Sequence, residues 1–178
     1  MRRLMITSAM IAAPAMAMAV GGGDDTPPTP TETTTTCTNG MVWDSESKSC
    51  VEPTDSSLKD TERLDAVREF AYLGQIDDAI GVLDAMADQT SDGVLTYRGF
   101  TARKAGNMDD ALVWYAKALA ANPDNLLARS YMGMAYVESG EIELARAELS
   151  EIRQRGGRQT WAEVALRMAI NSGQGYSY

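Results

Sequence analysis

The sequence predicts an all-α fold, in which a short solenoid of three helix-turn-helix repeats and a C-terminal capping helix follow a disordered linker and a small disulfide hairpin. Two observations lead to this prediction. From residue 59 onward, helix-forming residues dominate, and the apolar ones recur with a period near 3.6. One short motif also occurs three times at nearly constant spacing, which is typical of solenoids built from stacked repeats.

The repeated motif starts with a glycine and contains a small alanine. It reads GQIDDAI at 74–80, GNMDDAL at 106–112 and GEIELAR at 140–146, so the alanines lie 32 and then 34 residues apart. Glycine tolerates the left-handed conformation that ends a helix, and acidic residues favour the first turn of the next one. The alanine lets two helices cross closely. Chance recurrence in an ordinary helical bundle is the alternative, which three matches at this spacing disfavour.

With this motif, residues 59–172 resemble the tetratricopeptide-repeat family in its exported bacterial type. The resemblance implies a right-handed solenoid with repeats at about 60–91, 92–125 and 126–159 and a cap at 160–171. The middle repeat follows the family pattern best. The first has Val67 at a usually small position, and the third has Gly157 where proline is usual. The repeat-defining positions are Gly74, Ala79, Gly99, Gly106, Ala111, Tyr115, Ala118, Pro123, Gly133, Gly140 and Ala145.

Residues 1–19 have the three parts of a secretory signal peptide. An arginine pair supplies positive charge, residues 4–13 are apolar, and small-x-small sequences at 15–17 and 17–19 offer cleavage sites. A buried N-terminal helix is the alternative, but the linker that follows offers it nothing to pack on. We therefore expect an exported chain, periplasmic or secreted, with no stable membrane insertion after signal cleavage.

Three further segments are expected to lack regular structure. Residues 20–36 are rich in Gly, Thr and Pro and predict a disordered linker. Residues 53–58 form a second linker ahead of the repeats, and residues 173–178 form a flexible tail.

A small hairpin is predicted at 37–52. It holds the only two cysteines of the chain, Cys37 and Cys50, with an Asn-Gly turn signal and a short strand between them. Because an exported chain meets an oxidising compartment, we expect a Cys37–Cys50 disulfide. The segment resembles disulfide loops of secreted proteins, including parts of small carbohydrate-binding modules. Trp43 would then stack on a sugar ring or, alternatively, cover the disulfide.

Composition narrows the possible functions. The net charge of −9 repels phosphate backbones, which disfavours nucleic-acid binding. The chain has no histidine, and both cysteines are expected in the disulfide. We therefore expect no catalytic residue, no metal ligand and no cofactor site. Acidic pairs such as 77–78 and 109–110 fit the first turns of helices, where the helix dipole favours negative charge.

The family resemblance implies a concave groove, lined by the first helix of each repeat, that receives a peptide. Carried over to this sequence, the groove consists of Arg68, Tyr72, Thr96, Phe100, Arg103, Ser130, Met134 and Val137. Aromatic side chains beside arginine are frequent anchors of protein interfaces. The alternative is that Phe100 and Met134 belong to the core between repeats.

These features favour a non-catalytic scaffold of the cell envelope that binds a protein or peptide. The runner-up is a cell-wall or glycan-associated protein whose Cys37–Cys50 hairpin binds carbohydrate. Self-association into a homodimer is a third possibility. The sequence does not identify the partner.

Overall fold

A computed structural model describes residues 27–175 of the chain. The predicted signal peptide, residues 20–26 of the predicted linker and residues 176–178 of the predicted tail lie outside this range. The described elements, in chain order, are α1 (Glu32–Thr35), β1 (Val42–Asp44), β2 (Ser49–Val51), α2 (Asp60–Tyr72), α3 (Ile76–Asp84), α4 (Asp92–Lys104), α5 (Met108–Ala121), α6 (Leu126–Glu138), α7 (Ile142–Gln154) and α8 (Trp161–Ser172).

Six of the helices form three helical hairpins, and this confirms the predicted fold class. Helix α2 pairs with α3, α4 with α5 and α6 with α7, while α8 packs against both α6 and α7 as the predicted cap. The strands β1 and β2 form a two-stranded antiparallel sheet ahead of the solenoid. The core runs continuously from Val42 in β1 to Ala169 in α8, so the small sheet and the repeats share one hydrophobic interior.

The three hairpins turn in the same way because each first helix ends at a glycine with positive φ. The φ angles are 77° at Gly74, 83° at Gly106 and 82° at Gly140. In each turn, the residue after the glycine donates its backbone N–H to the carbonyl five residues earlier, at 2.8–2.9 Å. This bond satisfies a carbonyl at the helix end and reverses the chain. The repeated glycine of the sequence motif is therefore a turn residue in every repeat, as predicted.

Small residues inside the helices allow close helix approach. Ala79, Ala111 and Ala145 are fully buried. Gly99 of α4 faces the ring of Tyr115 on α5, and a Cβ at this position would lie 2.5 Å from Tyr115 Cε1. Gly133 of α6 faces Leu166 of α8 in the same manner, with a Cβ 2.6 Å from Leu166 Cδ2. Gly99 thus allows α4 and α5 of the middle hairpin to pack closely, and Gly133 does the same for α6 and the capping helix α8.

Substitution of Gly99 by alanine should lower the free energy of unfolding by about 1–3 kcal/mol, because the added methyl overlaps the Tyr115 ring in a packed core. Gly81 provides the matched control, since it lies within α3 and a Cβ there meets nothing within 4 Å. Gly81→Ala should raise the free energy of unfolding by about 0.5–1 kcal/mol through helix propensity. Urea denaturation followed by circular dichroism measures both. Equal shifts in the two variants would contradict the packing assignment.

The prediction of a disordered linker up to residue 36 is wrong for residues 31–36. This stretch contains α1, which packs against α2 and β1. Glu69 of α2 is 4% exposed and accepts hydrogen bonds from Thr31 N at 2.6 Å, Thr31 Oγ1 at 2.7 Å and Thr34 Oγ1. A buried carboxylate needs such donors. A threonine-rich composition gives no sign of a partner more than thirty residues away.

The segment 53–58 connects the sheet to α2 and is held firmly in place. The Arg63 guanidinium donates to three carbonyls of this segment: Pro53 O at 2.8 Å, Asp55 O at 2.7 Å and Leu58 O at 2.9 Å. Leu58 is itself buried. One side chain therefore fixes the path of the chain into the first repeat.

Asp60 should make stability depend on pH in acid. Its carboxylate accepts hydrogen bonds from the backbone N–H groups of Asp88 and Ala87 and from Arg63, and these bonds lower its pKa from 3.8. A lowered pKa stabilises the fold above the unfolded-state value, and this contribution is lost as the pH falls through the folded-state pKa. Asp60→Asn should lose about 1 kcal/mol at neutral pH.

The measurement is urea denaturation of both chains at pH 7 and at several values below 3.8. The difference between the wild-type chain and Asp60→Asn should shrink with acidification. A difference that stays constant over this range would show that the Asp60 charge contributes nothing to the bonds around it.

Candidate functional site

Five aromatic side chains from all three hairpins meet on the side of the first helices. This aromatic cluster consists of Tyr72 on α2, Tyr97 and Phe100 on α4, Tyr115 on α5 and Tyr131 on α6. Tyr72 stacks on Phe100 with ring centroids 6.0 Å apart, and Phe100 lies 5.0 Å from Tyr131. The hydroxyls of Tyr72 and Tyr131 are hydrogen-bonded at 2.7 Å. Aromatic contacts thus link first helices that are far apart in sequence.

Arg103 lies against the aromatic cluster and is only 4% exposed. Its guanidinium carbon is 5.4 Å from the centre of the Phe100 ring and 6.0 Å from that of Tyr131. Nη1 donates to Glu138 Oε1 at 2.5 Å, whereas Nε and Nη2 donate to none of the described residues. These two nitrogens of the buried guanidinium are able to donate hydrogen bonds to a further acceptor.

The Tyr115 hydroxyl is buried beside the Arg103 guanidinium and interacts with it. Burial raises the pKa of Tyr115 to about 12, although the neighbouring guanidinium favours the ionised form. Tyr115 therefore stays neutral at physiological pH and acts as packing for Gly99 and the rest of the cluster rather than as an acid or base.

Two further cations edge this cluster. Lys104 is half-buried with its Nζ 5.6 Å from the centre of the Phe100 ring. Burial, with a smaller contribution from Arg103, lowers the pKa of Lys104. Arg68 lies one turn before Tyr72 on α2 and pairs with Asp65 at 3.4 Å. We call the side of α2, α4 and α6 that carries Arg68, Tyr72, Lys104 and Glu138 the first-helix face.

Six of the eight predicted groove residues are buried. They are Thr96, Phe100, Arg103, Ser130, Met134 and Val137, none more than 4% exposed. Only Arg68 and Tyr72 are partly exposed. For Phe100 and Met134, the alternative assignment to the core is the correct one. Whether a partner contacts the eight residues stays a prediction.

The buried groove residues have structural partners that explain their burial. Ser130 Oγ donates to the Ala162 carbonyl of α8 at 2.8 Å, and Thr96 Oγ1 accepts from the Asn125 side chain at 3.1 Å. The helical period predicts which side of each first helix faces inward. The same side also contacts the next hairpin or α8. Periodicity identifies that side but does not show how much of it the neighbouring hairpin covers.

Sequence reasoning missed Tyr97, Lys104, Tyr131 and Glu138. A signal was available, because Tyr97 and Tyr131 occupy equivalent positions 34 residues apart, as do Lys104 and Glu138. A comparison of the repeats at this spacing pairs the two tyrosines directly. It also places a cation and an anion at equivalent helix ends.

The Cys37–Cys50 disulfide is confirmed. In the register of the sheet, Trp43 lies opposite Cys50, and directly opposed residues of an antiparallel pair point to the same side. Val42 and Asp44, on the other side of β1, are buried. This arrangement favours Trp43 as a cover for the disulfide. A role of the hairpin in sugar binding stays a prediction.

Over residues 27–175, no group of three or more His, Cys, Asp or Glu side chains is placed to hold a metal ion. Among these same residues, no helix is both long and apolar enough to cross a membrane.

A family model, described as the tetratricopeptide repeat, matches residues 102–165. The matched stretch runs from the last turn of α4 through α5, α6 and α7 into α8. No curated protein and no solved structure matches the chain. The family match supports a tetratricopeptide-repeat protein, and the first hairpin extends the same helix–glycine–helix geometry beyond the matched stretch.

Proposed function

From this repeat match, we propose that the chain is a non-catalytic scaffold of the cell envelope that binds a protein or peptide segment on its first-helix face. Tetratricopeptide repeats generally mediate protein–protein interactions. The observation that supports this face is its partly exposed part, in which Tyr72 stacks on the buried Phe100 and the cations Arg68 and Lys104 are also partly exposed. Aromatic and arginine side chains supply most of the energy at typical interfaces.

The charge of the first-helix face suggests the chemistry of the partner. Arg68, Arg103 and Lys104 lie on this face of a chain whose net charge is −9. Asp65 pairs with Arg68, and Glu138 pairs with Arg103. Lys104 is held partly desolvated, and Arg103 is fixed between two rings and Glu138, so little ordering is needed on binding. A segment with acidic or aromatic side chains complements this surface best.

Placement outside the cytoplasm is supported by two features. The Cys37–Cys50 disulfide is of a kind that persists in oxidising compartments. Residues 1–19 have the charge and apolar pattern of a secretory signal peptide. We place the protein in the periplasm, or outside the cell.

Four of the described carboxylates are held by hydrogen bonds within the fold, which supports a structural role for these four side chains. Asp44, Asp60, Asp88 and Glu163 have lowered pKa values, and hydrogen bonds within the fold are the largest cause in each case. General acids need the opposite shift, produced by burial or a like charge. These four side chains hold turns and helix ends together.

Site-specific photocrosslinking in the native cell tests the proposed function. A photoreactive residue replaces Tyr72 on the first-helix face or, as control, Val113, which is 53% exposed on the second helix α5. We expect discrete adducts with another protein from position 72 and not from position 113. The same adducts from both positions, or adducts from position 113 alone, would overturn the proposed face.

Charge reversal adds a second test of the same face. Arg68→Glu together with Lys104→Glu should lower the yield of adducts from position 72 by about threefold to tenfold, because rim charges steer association. Lys117→Glu together with Arg146→Glu is the matched control, since it changes the net charge by the same amount and both side chains are exposed on second helices. Equal losses in both variants would show that net charge, and not this face, governs capture.

A further inference from the structure

Each first helix uses the same side to contact the first helix of the next repeat. Phe100 of α4 and Tyr131 of α6 lie with their ring centroids 5.0 Å apart. Ser130 Oγ of α6 donates a hydrogen bond to the Ala162 carbonyl of α8 at 2.8 Å. Helix α8 packs against both α6 and α7. It therefore occupies the place of the first helix of a fourth repeat, and residues 27–175 contain no helix after it.

The equivalent side of α8 is partly exposed. In α6, this side includes Ser130 and Met134, which are both buried. The residues 34 positions later are Val164, which is half-buried, and Met168, which is 42% exposed. The last repeat of a solenoid ordinarily presents a polar outer side, so an exposed methionine at this position indicates an unfilled contact. We call the side of α8 that consists of Val164, Arg167, Met168 and Asn171 its open side.

Arg167 gives the open side of α8 a positive charge. The residue 34 positions earlier is Gly133, which faces Leu166 of the incoming helix so closely that a Cβ would lie 2.6 Å from Leu166 Cδ2. Arg167 is exposed, and its Nε lies 4.0 Å from Glu163 Oε1. Glu163 is bonded more closely by Arg153, at 2.7 Å. The Arg167 guanidinium can therefore pair with an acidic residue of an incoming helix.

The end of the solenoid around α8 is basic, unlike the chain as a whole. Residues 153–175 contain four arginines and one acidic residue, whereas the net charge of the whole chain is −9. The acidic residue, Glu163, is buried, while Arg158 and Arg167 are exposed. This charge favours an acidic partner helix. It disfavours a second copy of the chain docked through the same side, because the two copies of Arg167 would lie near each other.

We propose that the open side of α8 binds an amphipathic helix of another protein, which takes the place of the next first helix. Apolar residues of that helix would cover Val164 and Met168, and an acidic residue would face Arg167. Docking of an amphipathic helix by its apolar side is a common mode of recognition. This site is separate from the first-helix face, so the inference goes beyond the proposed function.

Binding of a synthetic peptide to the purified full chain tests this proposal. The probe is a stapled helical peptide of about four turns, with leucines along one side and glutamates beside them. A second peptide carries lysines in place of the glutamates. Fluorescence anisotropy should show at least about tenfold tighter binding of the glutamate peptide, although the net charge of the chain favours the lysine peptide. Equal affinities, or no binding of the glutamate peptide, would overturn the proposal.

Two variants locate the binding site on α8. Met168→Glu should weaken binding of the glutamate peptide by at least about tenfold, because it places a charge in the apolar centre of the contact. Arg167→Glu should reverse the preference between the two peptides. The matched controls are Val113→Glu and Arg146→Glu, which alter exposed residues of second helices and should leave the preference unchanged. Variants of α8 that bind both peptides as the controls do would place the site elsewhere.

Light scattering of the purified chain distinguishes a partner helix from a second copy. We expect a monomer at the concentrations used for peptide binding. A dimer that dissociates in Met168→Glu would overturn the proposal, since the open side would then hold another copy of the chain. The proposed function fails separately. If position 72 captures no protein while the glutamate peptide still binds at α8, only the first-helix face is rejected.

Discussion

Phe100→Ala should lower the free energy of unfolding by about 3–5 kcal/mol, the range for removal of a buried aromatic ring. Phe100 is fully buried and contacts Tyr72, Tyr97 and Tyr131, so its loss leaves a cavity between all three first helices. Arg103 and Lys104 lose the ring on which they lie. Urea denaturation followed by circular dichroism measures the change.

Val113→Ala is the control for this prediction, because Val113 is 53% exposed and its truncation should change stability by less than about 0.5 kcal/mol. If Phe100→Ala costs no more than the control, the aromatic cluster does not join the hairpins. A large loss also has a practical consequence. Phe100→Ala would weaken binding by unfolding the chain, so variants at the partly exposed Arg68 and Lys104 are better tests of partner binding.

Replacement of Cys37 and Cys50 by serine should lower the free energy of unfolding by about 3 kcal/mol. The disulfide closes a loop across 13 residues, and a crosslink of this span removes conformational entropy from the unfolded chain. The small sheet has little core of its own, yet it buries Val42 against the repeats. Loss of the disulfide should therefore also increase hydrogen exchange in α2, and the exchange rates there measure how far the sheet has come loose from the first repeat.

Reduction of the wild-type protein by a thiol reagent provides the matched comparison, since it breaks the same bond without a substitution. Both chains should lose stability to a similar extent and show the same faster exchange in α2, while α7 and α8 should exchange as before. An unchanged unfolding midpoint in both would show that the sheet stays docked without the disulfide.

The hairpins could be predicted because each is specified by local residues. A glycine that must adopt positive φ and an alanine at a helix crossing recur at fixed spacing, and both requirements are visible in one repeat at a time. The disulfide could be predicted for a similar reason, since Cys37 and Cys50 have no other cysteine to pair with. Such features depend little on how the repeats are stacked.

The accessible part of the first-helix face could not be predicted, because it depends on contacts between hairpins. Thr96, Ser130 and Met134 lie on the predicted side of their helices, and the neighbouring hairpin and α8 cover them. The contact of Thr31 with Glu69 joins residues 38 positions apart, with no pattern that links them. Arg103 was identified from its position, but its stacking between Phe100 and Tyr131 required the three-dimensional structure.

The docked hairpin gives the first repeat a dependence on cellular redox conditions. Glu69 receives its hydrogen bonds from Thr31 and Thr34, and Val42 covers the same region from β1. The Cys37–Cys50 disulfide, which closes this hairpin, would not persist in a reducing environment. Reduction of this one bond would therefore loosen the first repeat and leave the contacts of the other two hairpins and α8 in place.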